Sequence, residues 1–294
     1  MLKEQTCYNS QLQVSGLRVG TLGFNADCSN QSSDLLALSY CYSSNCYSIT
    51  NDNGNLQSQI INAPYSDGGG AHTQAMTQSY GYDALNRLST TSESVIGLPG
   101  GVAQGPWSWT FGADQYGNVW GTNTMGLSAL MPASSAYFDT ATNRLSKYGA
   151  SPGTALPTDA YDAAGNLQHH PDLCQNGSSA CMQYDGEGRL AQVTSGGNVA
   201  HYDYDGEGRR VRKTETGLNP VTTVYVHDVG GNLMAEYNTQ GGTVDSGVRY
   251  LTADHLGSTR LVTDGSGGVL QRLDYFPFGQ TIPICGWGLH CQVG

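Results

Sequence analysis

Hydrophobic and polar positions recur along this chain in one fixed order: an aromatic residue, Asp, two variable positions, Gly, Asn or Arg, and an apolar residue. The clearest copy runs from Tyr161 to Leu167, and two more run from Tyr184 to Leu190 and from Tyr204 to Arg210. A phrase that returns at a short period is typical of repeat proteins, in which each copy is one structural unit. The pattern therefore predicts an array of similar units.

Looser copies extend the array in both directions. The copy from Tyr82 to Leu88 has Asn in place of Gly, and the copy from His227 to Leu233 has His in place of the aromatic residue. Because Asn also adopts positive φ readily, the backbone requirement survives the first change. Successive Asp residues lie 23 (162 to 185), 20 (185 to 205) and 23 (205 to 228) positions apart, so the period is tight in this part of the chain.

Each copy has the chemistry of a β-hairpin turn. Asp at the first corner can accept hydrogen bonds from backbone N–H groups two and three residues further on, and Gly three positions later closes a type I turn with a bulge. The aromatic and apolar residues then face each other across two strands, which contributes roughly 0.2–1 kcal/mol per pair. We assign structural turn roles to Asp83, Asp162, Gly165, Asp185, Gly188, Asp205, Gly208, Asp228 and Gly231.

A single hairpin is marginally stable in water, so the units must pair edge to edge. The sequence therefore predicts an all-β fold, a spiralling ribbon of antiparallel β-hairpins. The alternation from Trp107 to Phe111 predicts a strand. Two local exceptions are expected: one short turn of helix from Asp34 to Leu38, and a flexible turn or linker from Pro64 to Gly70.

Composition narrows the class of protein. Only 13% of the residues are charged and Gly is abundant, which suits strands and turns. The net charge of −11 argues against a nucleic-acid partner, because phosphate recognition depends on clustered Lys and Arg. The basic stretch from Arg209 to Lys213 is better explained as a strand with a solvated face. No segment has the length of a membrane span.

The eight cysteines form an even set that favours an exported, disulfide-bonded protein over reduced thiols in the cytosol. The sequence does not establish which cysteines pair, although three pairs could each close a small loop: Cys41 with Cys46, Cys174 with Cys181, and Cys285 with Cys291. We expect an extracellular or cell-surface location, while the first residues, Met1 to Thr6, contain no apolar run typical of a signal peptide.

The repeated phrase resembles the YD repeats of Rhs proteins, a family that includes the C components of insecticidal Tc toxin complexes and the extracellular shell of teneurins. Tyr250 to Asp264, followed by Asp274 to Gly279, resembles the signature that opens the Rhs core-associated region. The resemblance covers about residues 50 to 282. The signature residues that carry it are Asp254, His255, Gly257, Arg260, Pro277 and Gly279.

The resemblance implies a hollow shell made from a spiralling ribbon of hairpins, which in toxin members encloses a C-terminal effector. Because 294 residues hold too few repeats to close such a shell, we expect a partial or open one. In the family the chain usually continues through a plug with an aspartate-dependent self-cleavage site near an Asp-Pro-x-Gly-Leu element. Gln280 to Gly294 contains no Asp-Pro, so neither self-cleavage nor a toxin is carried over.

These patterns divide the chain into four parts. Residues 1–62 form a cysteine-rich N-terminal segment with a degenerate repeat, and residues 63–249 form the YD-repeat hairpin array. Residues 250–282 carry the Rhs core-associated signature, and residues 283–294 form a short C-terminal tail.

Candidate chemical sites are weak. His170, Asp172 and Cys174 would share one face of a strand, but their spacing matches no tight zinc pattern, and a disulfide loop explains them better. Asn51 to Asn55 lacks the distal Glu of a calcium loop. Asp254 and His255 would point to opposite faces of a strand, which prevents an acid–base relay. We nominate no catalytic, metal-binding or cofactor-binding residue.

The sequence therefore predicts a non-catalytic structural and interaction scaffold, a partial Rhs-type shell that carries or encapsulates a protein. Its expected partners are a protein cargo or neighbouring Rhs segments. One alternative is a carbohydrate-binding surface module in which Trp107, Trp109, Trp120 and the Tyr residues of the repeats stack on surface glycans. The other is a self-processing polymorphic toxin carrier.

Overall fold

The fold is all-β, as a computed structural model of the chain describes it. The described residues are 2–29, 34–43, 46, 52–67, 70–96, 107–124, 131–149, 152–170, 174, 181–217, 219–231, 233–239, 249–279 and 281–282. Every paired strand within them runs antiparallel to its partner, and partners are neighbours along the chain. These residues include no α-helix. The predicted all-β ribbon of hairpins is confirmed.

The strands follow one another in chain order. They are β1 Lys3–Tyr8, β2 Val14–Gly20, β3 Asp34–Cys41, β4 Ser58–Asp67, β5 Gly70–Tyr82, β6 Leu88–Ile96, β7 Ser108–Ala113, β8 Val119–Thr124, β9 Lys147–Tyr148, β10 Thr154–Ala155, β11 Met182–Tyr184, β12 Leu190–Ser195, β13 Asn198–Tyr204, β14 Arg210–Thr216, β15 Val221–His227, β16 Leu233–Asn238, β17 Tyr250–Ala253, β18 Thr259–Thr263, β19 Val269–Arg272, β20 Asp274–Tyr275 and β21 Thr281–Ile282. A single 3₁₀ turn covers Ser135–Tyr137.

Contacts divide the chain into two compact units. The discontinuous unit consists of Met1–Ser135 together with Ser246–Gly294, and the continuous unit consists of Ala136–Asp245. The discontinuous unit contains an eight-stranded sheet (β1 to β8), a three-stranded sheet (β17 to β19) and the β20–β21 pair. The continuous unit contains a six-stranded sheet (β11 to β16) and the β9–β10 pair.

The short helical turn predicted from Asp34 to Leu38 is wrong, because these residues open β3. Both edges of β3 are paired: Leu36 lies opposite Val19 of β2, and Leu38 lies opposite Ile61 of β4. Leu36 and Leu38 are both buried. Pairing of β3 on both edges, together with burial of its leucines, therefore overrides the local tendency to form a helical turn.

The linker predicted from Pro64 to Gly70 is also wrong in part, because β4 continues to Asp67 and β5 begins at Gly70. Pairing of β4 with β3 ends at Asn62, while pairing with β5 continues through Pro64 opposite Thr73. Proline is tolerated where a strand has an unpaired edge, since it has no N–H to donate there. Gly68 and Gly69 lie outside the described residues.

The discontinuous unit has two apolar clusters, and residues 249–282, which we call the signature segment, contribute to both. Leu261 of β18 packs with a cluster formed by Leu17, Val19, Leu36, Leu38, Tyr40, Ile61 and Met76. Phe276 and Ile282 pack with Trp107, Trp109 and Phe111 of the β7 region. The signature segment therefore lies as a second layer against the eight-stranded sheet.

The continuous unit has a smaller core. Cys174, Cys181 and Met182 are buried together, and half-buried side chains of neighbouring repeats pack around them: Leu167, Tyr184, Leu190 and Val193. In the described part of β12 to β16, no side chain is buried.

Three disulfides are present among the described residues: Cys7–Cys28, Cys41–Cys46 and Cys174–Cys181. The loop-closing pairs expected for Cys41 and Cys174 are therefore formed, and Cys7 pairs with Cys28 across the β1–β2 region. Cys285, Cys291 and the tail 283–294 lie outside the described residues. Within the described ranges, no helix has the length and apolar character that a membrane crossing requires.

Candidate functional site: the repeat junctions and the Arg260 cluster

The turn that begins at Asp185 illustrates how each repeat closes. The Asp185 N–H donates to the carbonyl of Arg189 at 2.9 Å, and the Gly188 N–H donates to the carbonyl of Asp185 at 3.0 Å. Gly188 has φ +75°, in the left-handed region that favours glycine. The corresponding glycines Gly165, Gly208 and Gly231 also have positive φ, and so does Asn86, which stands in the glycine position of the first good repeat.

The aspartate side chain accepts from the N–H groups two and four residues further on, and not from those two and three residues further on as expected. Oδ1 of Asp185 accepts from the N–H groups of Glu187 and Arg189 at 3.0 and 2.9 Å. The third N–H, that of Gly188, is already used by the backbone carbonyl of Asp185. The same two side-chain bonds form at Asp83 and at Asp205.

The requirement for Asn or Arg after the glycine also has a physical cause. Arg189 Nε donates to the other oxygen of Asp185 at 2.7 Å, and Asn166 Nδ2 donates to Asp162 at 3.0 Å. The backbone and side-chain bonds from Arg189 hold the pKa of Asp185 below its ordinary value. Sequence reasoning missed this role, although the restriction of one position to two donor side chains was a signal for it.

The repeats that begin with tyrosine are also bonded to the preceding repeat through that side chain. Tyr184 Oη donates to the carbonyl of Leu167 at 2.7 Å, and Tyr204 Oη donates to the carbonyl of Leu190 at 2.8 Å. In each case the acceptor is the apolar residue that ends the preceding copy of the phrase. The same bond joins Tyr82 to Leu56 and Tyr161 to Leu145.

The arginine contacts the following repeat. Arg189 Nη1 lies 3.4 Å from the carbonyl oxygen of Asp205, and the Arg189 guanidinium lies 5.0 Å from the ring centroid of Tyr204. Arg87 makes a shorter bond of 2.6 Å to the carbonyl of Asp114. A guanidinium over an aromatic face adds a cation–π attraction. The conserved order of the phrase therefore closes one turn and joins it to both neighbours.

The signature segment contains the same turn. Asp254 follows β17 and opens a turn in which its Oδ1 accepts from the N–H groups of Leu256 and Ser258, both at 3.0 Å. Gly257 has φ +87°. Asp254 and His255 are thus turn residues and do not lie on a strand as expected. Their side chains go to different partners, because the His255 ring packs edge-on against Tyr40 with centroids 4.3 Å apart.

A buried polar cluster joins the signature segment to the eight-stranded sheet. We call it the Arg260 cluster, and its members are Gln78, Glu93, Asp254, Arg260 and Asp274. Arg260 Nη2 donates to Asp274 Oδ1 at 2.7 Å, and Arg260 Nη1 lies 3.7 Å from Asp254 Oδ2. Gln78 Nε2 donates to both Glu93 and Asp274, at 2.9 and 3.2 Å. Arg260 and Asp274 are each 3% exposed.

The last two signature residues, Pro277 and Gly279, belong to the turn between β20 and β21. The Gly279 N–H donates to the carbonyl of Phe276 at 2.9 Å, with Pro277 at the second position and Gly279 at the fourth. This order is favourable for a type I turn. The turn places Phe276 face to face with Trp109, with ring centroids 4.5 Å apart.

Comparison with known families agrees with this geometry. Residues 184–218 match the model of the RHS Repeat family, and this range spans the copies that begin at Tyr184 and Tyr204. Residues 184–218 therefore contain an Rhs repeat. The predicted resemblance to the Rhs/YD repeats is confirmed over these residues. No curated protein matches the chain.

Two tryptophans of the discontinuous unit are buried. Trp107 and Trp109 are 5% and 1% exposed, so the prediction that they stack on glycans is wrong. Both rings pack against Phe276, whose presence more than 160 residues further along the chain could not be inferred from local alternation. Trp120 is half-buried.

The basic stretch of the Rhs repeats is occupied by internal contacts. Arg209 bonds to Asp205, Arg212 bonds to Asp203 at 2.7 Å, and Lys213 bonds to Glu215 at 2.8 Å. Within the part of the chain that the structure describes, no group of three acidic, His or Cys side chains could hold a metal ion. Asn51 and Asp172 lie outside them.

Proposed function

We propose that this protein is a non-catalytic structural and interaction scaffold, a segment of an Rhs-type β-shell that carries or encloses a protein partner. The proposal rests on one observation: in several repeats the arginine that closes the turn also contacts the following repeat, and the tyrosine before the turn bonds to the preceding one. Tyr204 and Arg189, for example, join their repeats to each other through a hydrogen bond and a ring contact. Residues used in this way support the structure of the repeat array.

Coupling between neighbours gives a repeat array its rigidity. In such an array the stability is approximately the sum of the stability of each repeat and of its interfaces with its neighbours. A neutral hydrogen bond contributes about 0.5–1.5 kcal/mol, so one tyrosine bond per junction is a substantial part of each interface. A repeat array stabilised at several of its junctions suits a carrier that must keep its shape around a partner.

The disulfides support a location outside the reducing cytosol, on an exported or surface-associated protein. The test is alkylation of protein isolated from its native source, without reduction, followed by peptide mapping. We expect the six cysteines of the described disulfides to be unmodified: Cys7, Cys28, Cys41, Cys46, Cys174 and Cys181. Complete alkylation of all six would contradict an oxidising location.

The non-catalytic part of the proposal is tested against the self-processing carrier. We expect purified protein to keep a single intact mass during prolonged incubation between mildly acidic and neutral pH. A clipped species that accumulates at a rate independent of protein concentration would contradict the proposal, since it would reveal an intramolecular cleavage.

A carbohydrate partner is the second candidate, and the observation in its favour is a set of exposed tyrosines. Tyr116, Tyr237 and Tyr250 are 66%, 65% and 51% exposed, and tyrosine rings can stack on sugars. Glycan-array binding that is lost in one of the three Tyr→Ala variants, with the fold retained, would favour this candidate over the protein scaffold.

A further inference from the structure

The Arg260 cluster has more acidic groups than one cation can compensate. Glu93 lies on β6, Asp254 follows β17, and Asp274 lies on β20, so three carboxylates converge from three parts of the discontinuous unit. Among the described residues, Arg260 is the only Lys or Arg side chain in contact with these carboxylates, and it contacts Asp254 and Asp274. Unpaired charges are costly to bury, so this arrangement disfavours ionisation of all three carboxylates.

Glu93 is the carboxylate of the cluster that has no ion pair with Arg260 among the described residues. Arg260 lies against Asp274 and Asp254, whereas Glu93 receives the amide of Gln78, which it shares with Asp274. Glu93 is 8% exposed and Gln78 is 2% exposed. A neutral Glu93 removes one buried charge and leaves Asp274 and Asp254 to share the Arg260 guanidinium.

The electrostatics of the cluster agree with this assignment. Burial raises the pKa of Glu93 to about 7, and the negative charge of Asp274 adds to the rise. The hydrogen bond from Gln78 and the positive charge of Arg260 act against it. Burial raises the pKa of Asp274 as well. Tyr80, which donates to Gln78 at 2.8 Å, also has its pKa raised by burial and stays neutral. His255 faces Tyr40 and not Glu93.

We propose that Glu93 is a protonation-controlled latch, which holds the signature segment against β5 and β6 when it is neutral and weakens that contact when it is ionised. Asp274 of the segment shares the Gln78 amide with Glu93, so we infer that docking of the segment buries Glu93 and that separation returns it to water. The docked state therefore binds more protons between the ordinary pKa of 4.5 and the raised value of about 7. The latch is fully effective below the lower value and is lost as the pH rises through the higher one.

Hydrogen exchange measured by mass spectrometry can test the latch in the full chain. Rates are corrected for the intrinsic pH dependence of exchange, and protection of residues 259–276 is compared with that of residues 199–216 in the continuous unit. From about pH 5.5 to about pH 8, we expect protection of the signature segment to fall on the order of tenfold. Protection of residues 199–216 should stay constant.

Glu93→Gln is the decisive variant, because Gln keeps an oxygen that can accept from Gln78 and cannot ionise. We expect its signature segment to show the same protection at both pH values. Glu4→Gln, in which an exposed glutamate of the same unit is changed, is the matched control and should retain the pH dependence of the wild type. A constant wild-type protection, or an equal loss in Glu93→Gln, would overturn the proposal.

A second measurement keeps the test decisive if Glu93→Gln does not fold. The side-chain carboxyl carbon of Glu93 in the wild-type chain can be followed by NMR as the pH is changed. A midpoint near 7 would support the latch, and a midpoint near the ordinary value of 4.5 would overturn it.

Discussion

The eight-stranded sheet of the discontinuous unit and the six-stranded sheet of the continuous unit contain the same kind of hairpin, yet their side chains are buried to different extents. Val19 and Leu38 in the first sheet are 0% exposed. In the second sheet, Val224 and Val226 of β15 are 41% and 43% exposed. The two sheets therefore contain the same type of turn but differ in how deeply their side chains are buried.

The difference lies in the second layer. Leu261 and Phe276 of the signature segment cover the eight-stranded sheet, and each belongs to an apolar cluster with residues of that sheet. The six-stranded sheet has its described core at one end, around the Cys174–Cys181 disulfide. The Rhs repeat thus specifies hairpins and their junctions, whereas a deep core in this chain requires the signature segment.

The largest expected loss of stability is in the eight-stranded sheet, which the signature segment covers. Trp109→Ala removes a ring that is 1% exposed and packs on Phe276, and such a change costs about 3–5 kcal/mol. Val224→Ala, in the six-stranded sheet, should change stability by less than about 1 kcal/mol because the Val224 side chain is already partly exposed to water. Urea titrations followed by hydrogen exchange can resolve the two units in each variant.

Either of two results would contradict this explanation of the difference between the two sheets. Equal losses in Trp109→Ala and Val224→Ala would mean that the signature segment does not supply the core. Loss of protection in residues 199–216 on Trp109→Ala would mean that the stability of the continuous unit depends on the core of the other unit.

The sequence was informative about turns because their chemistry is local. The positive φ of Gly165 and of Asn86 could be anticipated from their positions in the phrase. The burial of Trp107 could not, because it depends on Phe276, which is distant in sequence. The strand at Asp34 was missed for the same reason, since its neighbours β2 and β4 determine its conformation.

The polar contacts were predictable only within a repeat. The Asp of each turn was identified, but the bond from Arg189 to Asp185 and the bond from Tyr204 to the previous repeat were not. The Arg260 cluster is a harder case, because Gln78 and Asp274 meet across 196 positions of sequence. No periodicity in the sequence relates two residues that are so far apart.

A change in a turn should have an intermediate effect and sharpen the comparison for the continuous unit. Gly165 has φ +95°, so Gly165→Val forces a β-branched residue into a strained backbone and should cost about 2–3 kcal/mol. The neighbouring Arg144 can move aside, since the close atom is the end of its side chain. The change in unfolding free energy is measured by urea titration.

Ala163→Ser is the control for this turn, because Ala163 is exposed and occupies a variable position of the same phrase. We expect it to change stability by less than about 0.5 kcal/mol. If both substitutions destabilised the continuous unit equally, the register of the turn would be different from the one described.

The smallest expected effect isolates the bond between repeats. Tyr204→Phe removes the hydroxyl that donates to the carbonyl of Leu190 and keeps the ring beside Arg189, so it should cost about 0.5–1.5 kcal/mol. Tyr237→Phe is the matched control in the same unit, since the Tyr237 side chain is 65% exposed, and it should have almost no effect. Hydrogen exchange at residues 190–204 should accelerate only in the first variant. In the described part of β12 to β16 no side chain is buried, so the loss of one hydrogen bond at this junction should directly accelerate exchange there. Equal exchange in the two variants would show that the junction is maintained by ring packing alone.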